Sequence, residues 1–247
     1  MPEPVLVAVA HGSADPRASA TIADLMAVVA GRAPGSKGLD LRSAFLGHAP
    51  PSLPQVMSTI EPGREVTVLP LLLTAAYHSK ADIPRILARF PRLRLSYGAT
   101  LGPHPLLLQA LERRLAEADP GAYEDPARTA VVLAAAGSSD PEANATIARL
   151  AARWQARTGW FAVRPAYASA AEPSPAAAVA RLRHDGAPRV VVATYLLAPG
   201  LFADRIRQST LAAGAAAVSP ALGACAEVAD VLLDRFAEDG STRRAAA

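Results

Sequence analysis

Cysteine is nearly absent from this 247-residue chain, and the one present, Cys225, excludes an internal disulfide framework and any zinc site built on thiolates. A reducing cytoplasm is the compartment this fits. The start, MPEPVLVAVAHGS, lacks a basic segment followed by a long apolar one, so it does not read as a secretory signal. Every apolar stretch is broken by Pro, Ser or a charged residue well short of a membrane span. There is no basic run and no aromatic-interleaved basic patch, and 25 Lys and Arg against 22 Asp and Glu argue little for nucleic acid. A small anionic substrate remains compatible with that balance. The phosphate-binding signatures are missing too: the segment HGSADP has only Gly12 where a dinucleotide fingerprint needs three glycines, and no Gly-Lys-Ser/Thr follows a strand. Ala10 stands where a histidine phosphatase would carry an arginine.

What is there is a duplication. Residues 5–22, VLVAVAHGSADPRASATI, return at 130–147 as AVVLAAAGSSDPEANATI, at a constant offset of 125. Gly12 pairs with Gly137, Ser13 with Ser138, Asp15 with Asp140 and Pro16 with Pro141, but His11 faces Ala136. Further pairs follow with small register shifts: AFLGHAPPS (44–52) with AYASAAEPS (166–174), VLPLLLTAAYH (68–78) with VATYLLAPGLF (192–202), and LGPHP (101–105) with LGACA (222–226). Each copy has the size of one small domain, which predicts a domain over 1–120 carrying the candidate active-site histidines and a second over 121–247 without them.

The continuous apolar run 5–10 reads as a strand buried on both faces, and Ile22, Leu25, Met26 and Val29 recur at helical spacing after Pro16. Strands are expected at 39–47, 65–73, 92–98 and 129–136. Helices lie between them, one entered through Asp82 as N-cap with Pro84 in its first turn. This alternation predicts α/β architecture: two tandem, similar, doubly wound parallel-sheet (Rossmann-like) domains with a cleft between them. Residues 118–128 read as the linker, and the tail 238–247, without apolar periodicity, is expected to fray.

Ligands of such sheets bind outside the carboxyl ends of the strands. His11 follows the first strand and His78 lies in the loop after the third, so both are expected at one mouth, where imidazole can hold a metal or accept a proton near neutral pH. His48, after the second strand, is a further candidate for the same mouth. His104 is expected to cap or pack the turn into the next helix, and His184 to sit at a helix C-terminus. Arg17, Arg42, Lys80, Arg205 and Arg207 lie in or near mouth loops or early helix turns. Ser13 and Ser138, ahead of helix N-termini, are candidates to receive carboxylates.

Four segments in order resemble the class II tetrapyrrole chelatases, specifically the sirohydrochlorin cobalto- and ferrochelatases in their duplicated long form. They are His11-Gly12-Ser13 with Asp15-Pro16; Ala44–Leu53; Pro70, Leu73, Tyr77, His78, Asp82, Ile83 and Pro84; and Leu101–Pro105. The resemblance covers about residues 4–236. It implies a chelatase-type fold and a lyase that inserts Co²⁺ or Fe²⁺ into sirohydrochlorin in cobalamin or siroheme biosynthesis, with the metal as substrate and no organic cofactor. It places His11 and His78 in catalysis and, with His48, in metal handling, while Ser13, Arg17, Arg42, Lys80, Ser138 and Arg205 would face the macrocycle's carboxylates. No nucleic acid or membrane partner is implied, and a monomer is compatible. One position departs from the family pattern: Gly47 stands where a glutamate usually follows Phe-Leu, and His48 comes next. Glu172, in the second copy's equivalent loop, aligns with Pro50 instead.

Overall fold

Six buried residues, Val5–Ala10, form β1, the strand on which the first sheet is built. The computed structural model describes residues 3–33, 39–75 and 78–246. From β1 the chain runs through α1 (Pro16–Arg32), β2 (Asp40–Phe45), α2 (Leu53–Ser58) and β3 (Glu65–Pro70). A π-type turn, His78–Asp82, leads directly into α3 (Ile83–Leu87), and β4 (Arg94–Tyr97) and α4 (Pro105–Ala118) follow. The second series is β5 (Thr129–Ala135), α5 (Pro141–Arg157), β6 (Ala162–Tyr167), α6 (Pro175–His184), β7 (Arg189–Tyr195), α7 (Leu201–Ala212), β8 (Ala217–Val218) and α8 (Ala226–Ala246).

The two sheets are ordered β2-β1-β3-β4 and β6-β5-β7-β8, and every pairing is parallel. Parallel neighbours require crossovers, which the helices supply. In the first sheet, Val5, Val7 and Val9 join Val66, Val68, Leu53, Met57 and Ile83 in one buried cluster. Leu6 and Ala8, equally buried, point to the opposite face by strand alternation, the side covered by α1 and α8. In the second sheet, Val132, Ala134, Val179, Val190 and Ile206 form the matching cluster. The strand order reverses between β1 and β3 and between β5 and β7, so each sheet has its switch point where the loops after those strands diverge.

The chain divides into two compact units, Met1–Leu106 with Ala224–Ala247, and Leu107–Gly223. The boundary expected at 120 thus gives way to an exchange of closing helices: α4 belongs to the second unit and α8 to the first. Arg32 of α1 pairs with Asp230 of α8 through two hydrogen bonds of 2.7 and 2.6 Å, and Asp239 of α8 accepts from Thr67 of β3 at 3.1 Å and from Ser96 of β4. These contacts also correct the expectation of a fraying tail at 238–247, because α8 runs to Ala246 and Asp239 anchors its far part. The expected linker is two 3₁₀ turns, Pro120–Tyr123 and Pro126–Arg128, with Ala122 buried. No helix among the described residues is long and apolar enough to cross a membrane.

Candidate active site

In the first unit, the ladder between β1 and β2 continues past both strands: Leu46 N–H donates to the Ala10 carbonyl at 3.0 Å and Gly47 N–H to the His11 carbonyl at 3.1 Å. That continuation draws the two loops together. Gly12 lies at φ 89°, and a Cβ there would stand 1.7 Å from the Gly47 carbonyl oxygen, so only glycine allows the approach. His48 takes φ 61° in the turn before the cis Pro50-Pro51 bond, and its exposed ring lies beside that of His11, with centroids 6.3 Å apart and planes 21° from parallel. His11 Nδ1 lies 3.1 Å from the Gly12 carbonyl oxygen. A carbonyl only accepts, so this contact puts a proton on Nδ1, and in the neutral ring that leaves the lone pair on Nε2, the tautomer that ligates a metal or takes up a proton through Nε2.

The loop after β3 places His78 at the start of the π-type turn, on the same mouth. Its side chain, like Tyr77, lies outside what the structure describes. The turn itself is tied from β4, where the Tyr97 hydroxyl donates to the Ser79 carbonyl at 2.7 Å, and burial pushes the Tyr97 phenol up to about 12. Tyr97 was not among the residues the sequence singled out, since a tyrosine in RLRLSYG carries no signal of a contact made across 18 residues. Asp82 is not the cap it was expected to be: its backbone is helical, continuous with α3, and its carboxylate pairs with Arg85 at 2.6 Å.

Asp15 caps α1 by accepting from the Arg17 N–H at 2.9 Å, and the Arg17 guanidinium grips the same carboxylate at 2.6 Å, which holds Asp15 below the usual carboxylate range. Ser13 Oγ accepts from the Asp15 N–H, tightening the loop at the head of the helix. Lys80 is exposed on the π-type turn. Arg42 is not brought to this mouth. Its guanidinium is held by Asp40 at the opposite end of β2 and by Thr59 at the C-terminus of α2, so it faces the other edge of the sheet. His104 is structural, as expected: its Nδ1 accepts from the Leu106 N–H, Asp234 lies 3.7 Å from Nε2, and burial together with Arg235 lowers its pKa. His184 ends α6 beside Asp185. Among the described residues, no cluster of three or more His, Cys, Asp or Glu side chains forms a metal cage.

The second unit repeats the scaffold without the imidazoles. Gly137 has φ 84° and a Cβ would stand 1.9 Å from the Ser169 carbonyl oxygen, Ala170 takes φ 58°, and Glu172-Pro173 is cis. Ala136, Ala170 and Phe202 therefore hold the places of His11, His48 and His78. Ser138 is fixed by Asn144, whose side chain both accepts from its N–H and donates to its carbonyl. Glu172 accepts from the Ser174 N–H at 2.8 Å. Arg205 is exposed on α7, whereas Arg207 reaches towards the Val218 carbonyl at 3.4 Å.

A family model, CbiX, matches residues 5–118 and again 130–239. The chain belongs to the CbiX family. Relatives of this CbiX chain include the sirohydrochlorin cobaltochelatase of Priestia megaterium, 28% identical over 207 residues covering 81% of this chain and 66% of that protein. The sirohydrochlorin ferrochelatase of the same organism is 28% identical over 170 residues, covering 66% of this chain and 63% of that one. The matched region thus spans less than two thirds of these relatives' length. In fold, the CbiX chain is similar to SirB from Bacillus subtilis, solved with Fe³⁺, at a TM-score of 0.79 and 24% identity, covering 98% of each chain.

Proposed function

We propose that this protein inserts Co²⁺ or Fe²⁺ into sirohydrochlorin, as a cytoplasmic step of siroheme or cobalamin synthesis. The observation that carries the reading is the paired imidazoles of His11 and His48 in the loops after β1 and β2, at the carboxyl end of the first sheet, in a chain whose two halves both match CbiX. The names of the relatives, a cobaltochelatase and a ferrochelatase, supply the substrate and the two metals.

Metal insertion requires two pyrrole N–H protons to leave as the ion arrives. Neutral imidazoles serve both needs, since nitrogen ligands suit Fe and Co and also accept protons near neutral pH. A divalent ion binds imidazole nitrogen at about 2.0–2.1 Å. Rings with centroids 6.3 Å apart stand near the widest span one ion bridges, and the two side chains would turn their nitrogens toward a common point to share it. His11, with Nε2 as its basic nitrogen, and His78 take the catalytic roles in this reading. His48 supplies the third metal ligand in place of the carboxylate that Gly47 lacks, so the incoming ion meets a set of two or three neutral donors. Such a set holds a metal loosely enough to release it. Ser13, Arg17, Lys80, Ser138 and Arg205 are the groups proposed to meet the macrocycle's carboxylates.

The test is an anaerobic insertion assay with sirohydrochlorin and Fe²⁺, Co²⁺ or Ni²⁺, followed by the change in tetrapyrrole absorbance. His11→Ala is expected to lose roughly 100-fold or more in rate, the scale of a lost proton-transfer group. His48→Ala is expected to lose activity that His48→Glu restores. Undiminished turnover in His11→Ala overturns the assignment. A carrier that binds ring or metal without turnover is the reading Gly47 favours, and wild-type insertion in the same assay excludes it.

A further inference from the structure

The mouth of the second unit has lost imidazole at all three corresponding positions, and each replacement is apolar: Ala136, Ala170 and Phe202. Ala136 and Ala170 are what loss of chemistry alone would leave, but Phe202 is large and aromatic. With Leu201 it opens α7 on two apolar side chains in solvent, Leu201 at 68% exposure and Phe202 at 38%. Leu196, Leu197 and Pro199, in the loop leading to them, are half-buried. At about 100° per residue, Arg205 projects between the directions of Leu201 and Phe202, one turn further along the helix. Asp204, the acidic residue nearest in sequence, projects on the far side of Leu201. An exposed aliphatic and aromatic pair with a cation beside it is complementary to a flat, apolar ring bearing carboxylates at its edge.

We propose that this surface, Leu201 and Phe202 with Arg205, binds the face of the tetrapyrrole, so that the second copy is a ring-binding module and not a spent active site. The choice of macrocycle as occupant rests on the function proposed above. A ring so bound removes Leu201 and Phe202 from water and gives Arg205 a carboxylate at the ring's edge, and no covalent step is involved.

The test is direct titration of the full-length protein with sirohydrochlorin, read by the ring's absorbance under anaerobic conditions, beside the insertion assay. The double variant Leu201→Ala/Phe202→Ala is expected to weaken ring binding at least tenfold and to raise KM with little change in kcat. Phe202→Leu keeps most of the affinity, and Arg205→Gln weakens binding and flattens its salt dependence. Leu211→Ala, which removes an exposed apolar side chain (40%) at the other end of α7, leaves both readouts unchanged. Thermal melts confirm that each variant is folded. Wild-type affinity in a folded double variant overturns the inference while leaving the insertion reaction intact. Ring binding that depends on the patch, without insertion by the wild type, supports it while removing the proposed reaction. Absence of ring binding by the wild type overturns both. A concentration-dependent dimer dispersed by the double variant, with ring affinity unchanged, assigns the patch to a second copy of the chain and also overturns it.

Discussion

Gly12 and Gly137 hold the same place in the two copies, and both are required for one reason: the carbonyl of the neighbouring loop fills the space a side chain would need. The positive φ of the following turn is likewise shared by His48 and Ala170, which makes it a property of the scaffold and not of catalysis. Only the side chains placed on that scaffold differ. Gly12→Ala is expected to cost well over the ~1 kcal/mol of an ordinary glycine replacement, since backbone strain and a backbone clash coincide. It should also displace the Gly47 carbonyl, and with it His48, from beside His11. Gly137→Ala is expected to be comparably destabilising. Urea denaturation of the two variants measures this, and a wild-type midpoint for Gly12→Ala would contradict the close approach. The sequence put His11 and His78 at the mouth and offered His48 as a further candidate there, because a residue's place after a buried strand fixes the edge of the sheet it occupies; that His48 and not another group lies beside the His11 ring came from the structure. It misdirected Arg42, because a long side chain on a strand reaches along the strand as well as out of it, and Asp40 and Thr59 draw this one backwards.

At the scale of elements, α8 is fastened to the first unit by charged side chains as well as by apolar ones. Arg235, with 15% of its side chain exposed, donates to the carbonyls of Thr100, Leu101 and Pro103, which precede α4 and have no strand to pair with. Arg235→Ala is expected to cost roughly 1.5–3 kcal/mol, the range for hydrogen bonds from a charged group. The same change should raise the pKa of His104, which burial and then Arg235 hold below its ordinary value. Because the folded His104 is depressed, the stability linked to it is complete above about pH 6.5 and is lost as pH falls through the folded value. In Arg235→Ala that acid-side loss should be smaller, and NMR titration of His104 together with denaturation across pH 5–7 reads both effects. A His104 midpoint unmoved by the substitution would contradict the proximity of the two groups. Strands and helices were legible because their apolar periods are strong, although β3 and β4 end sooner than expected. The π-type turn at His78–Asp82 was not legible, since a helical continuation and a capped start share the same residues up to Pro84.

For the molecule as a whole, the exchange of α4 and α8 decides what can fold alone. Amphipathic spacing shows that a helix buries one face but not which sheet receives it, so the cut at 120 looked natural in the sequence. Val228, Val231 and Leu232 of α8 are fully buried. At about 1.5–3 kcal/mol for each such side chain, their loss is comparable with the whole stability of a domain, about 5–15 kcal/mol. A fragment of residues 1–120 is therefore expected to lack a cooperative melt as a monomer, and a peptide of residues 224–247 added in trans is expected to restore one. A sharp two-state transition of the isolated fragment at low concentration would contradict this. The exchange has a consequence for descent as well as for folding. A deletion that discards the copy whose mouth has no histidine also discards the helix that completes the other copy. Mutation is free to rewrite the second mouth, as it has at three positions, but not to shed the half that carries it. Each copy is thus inherited on account of its neighbour.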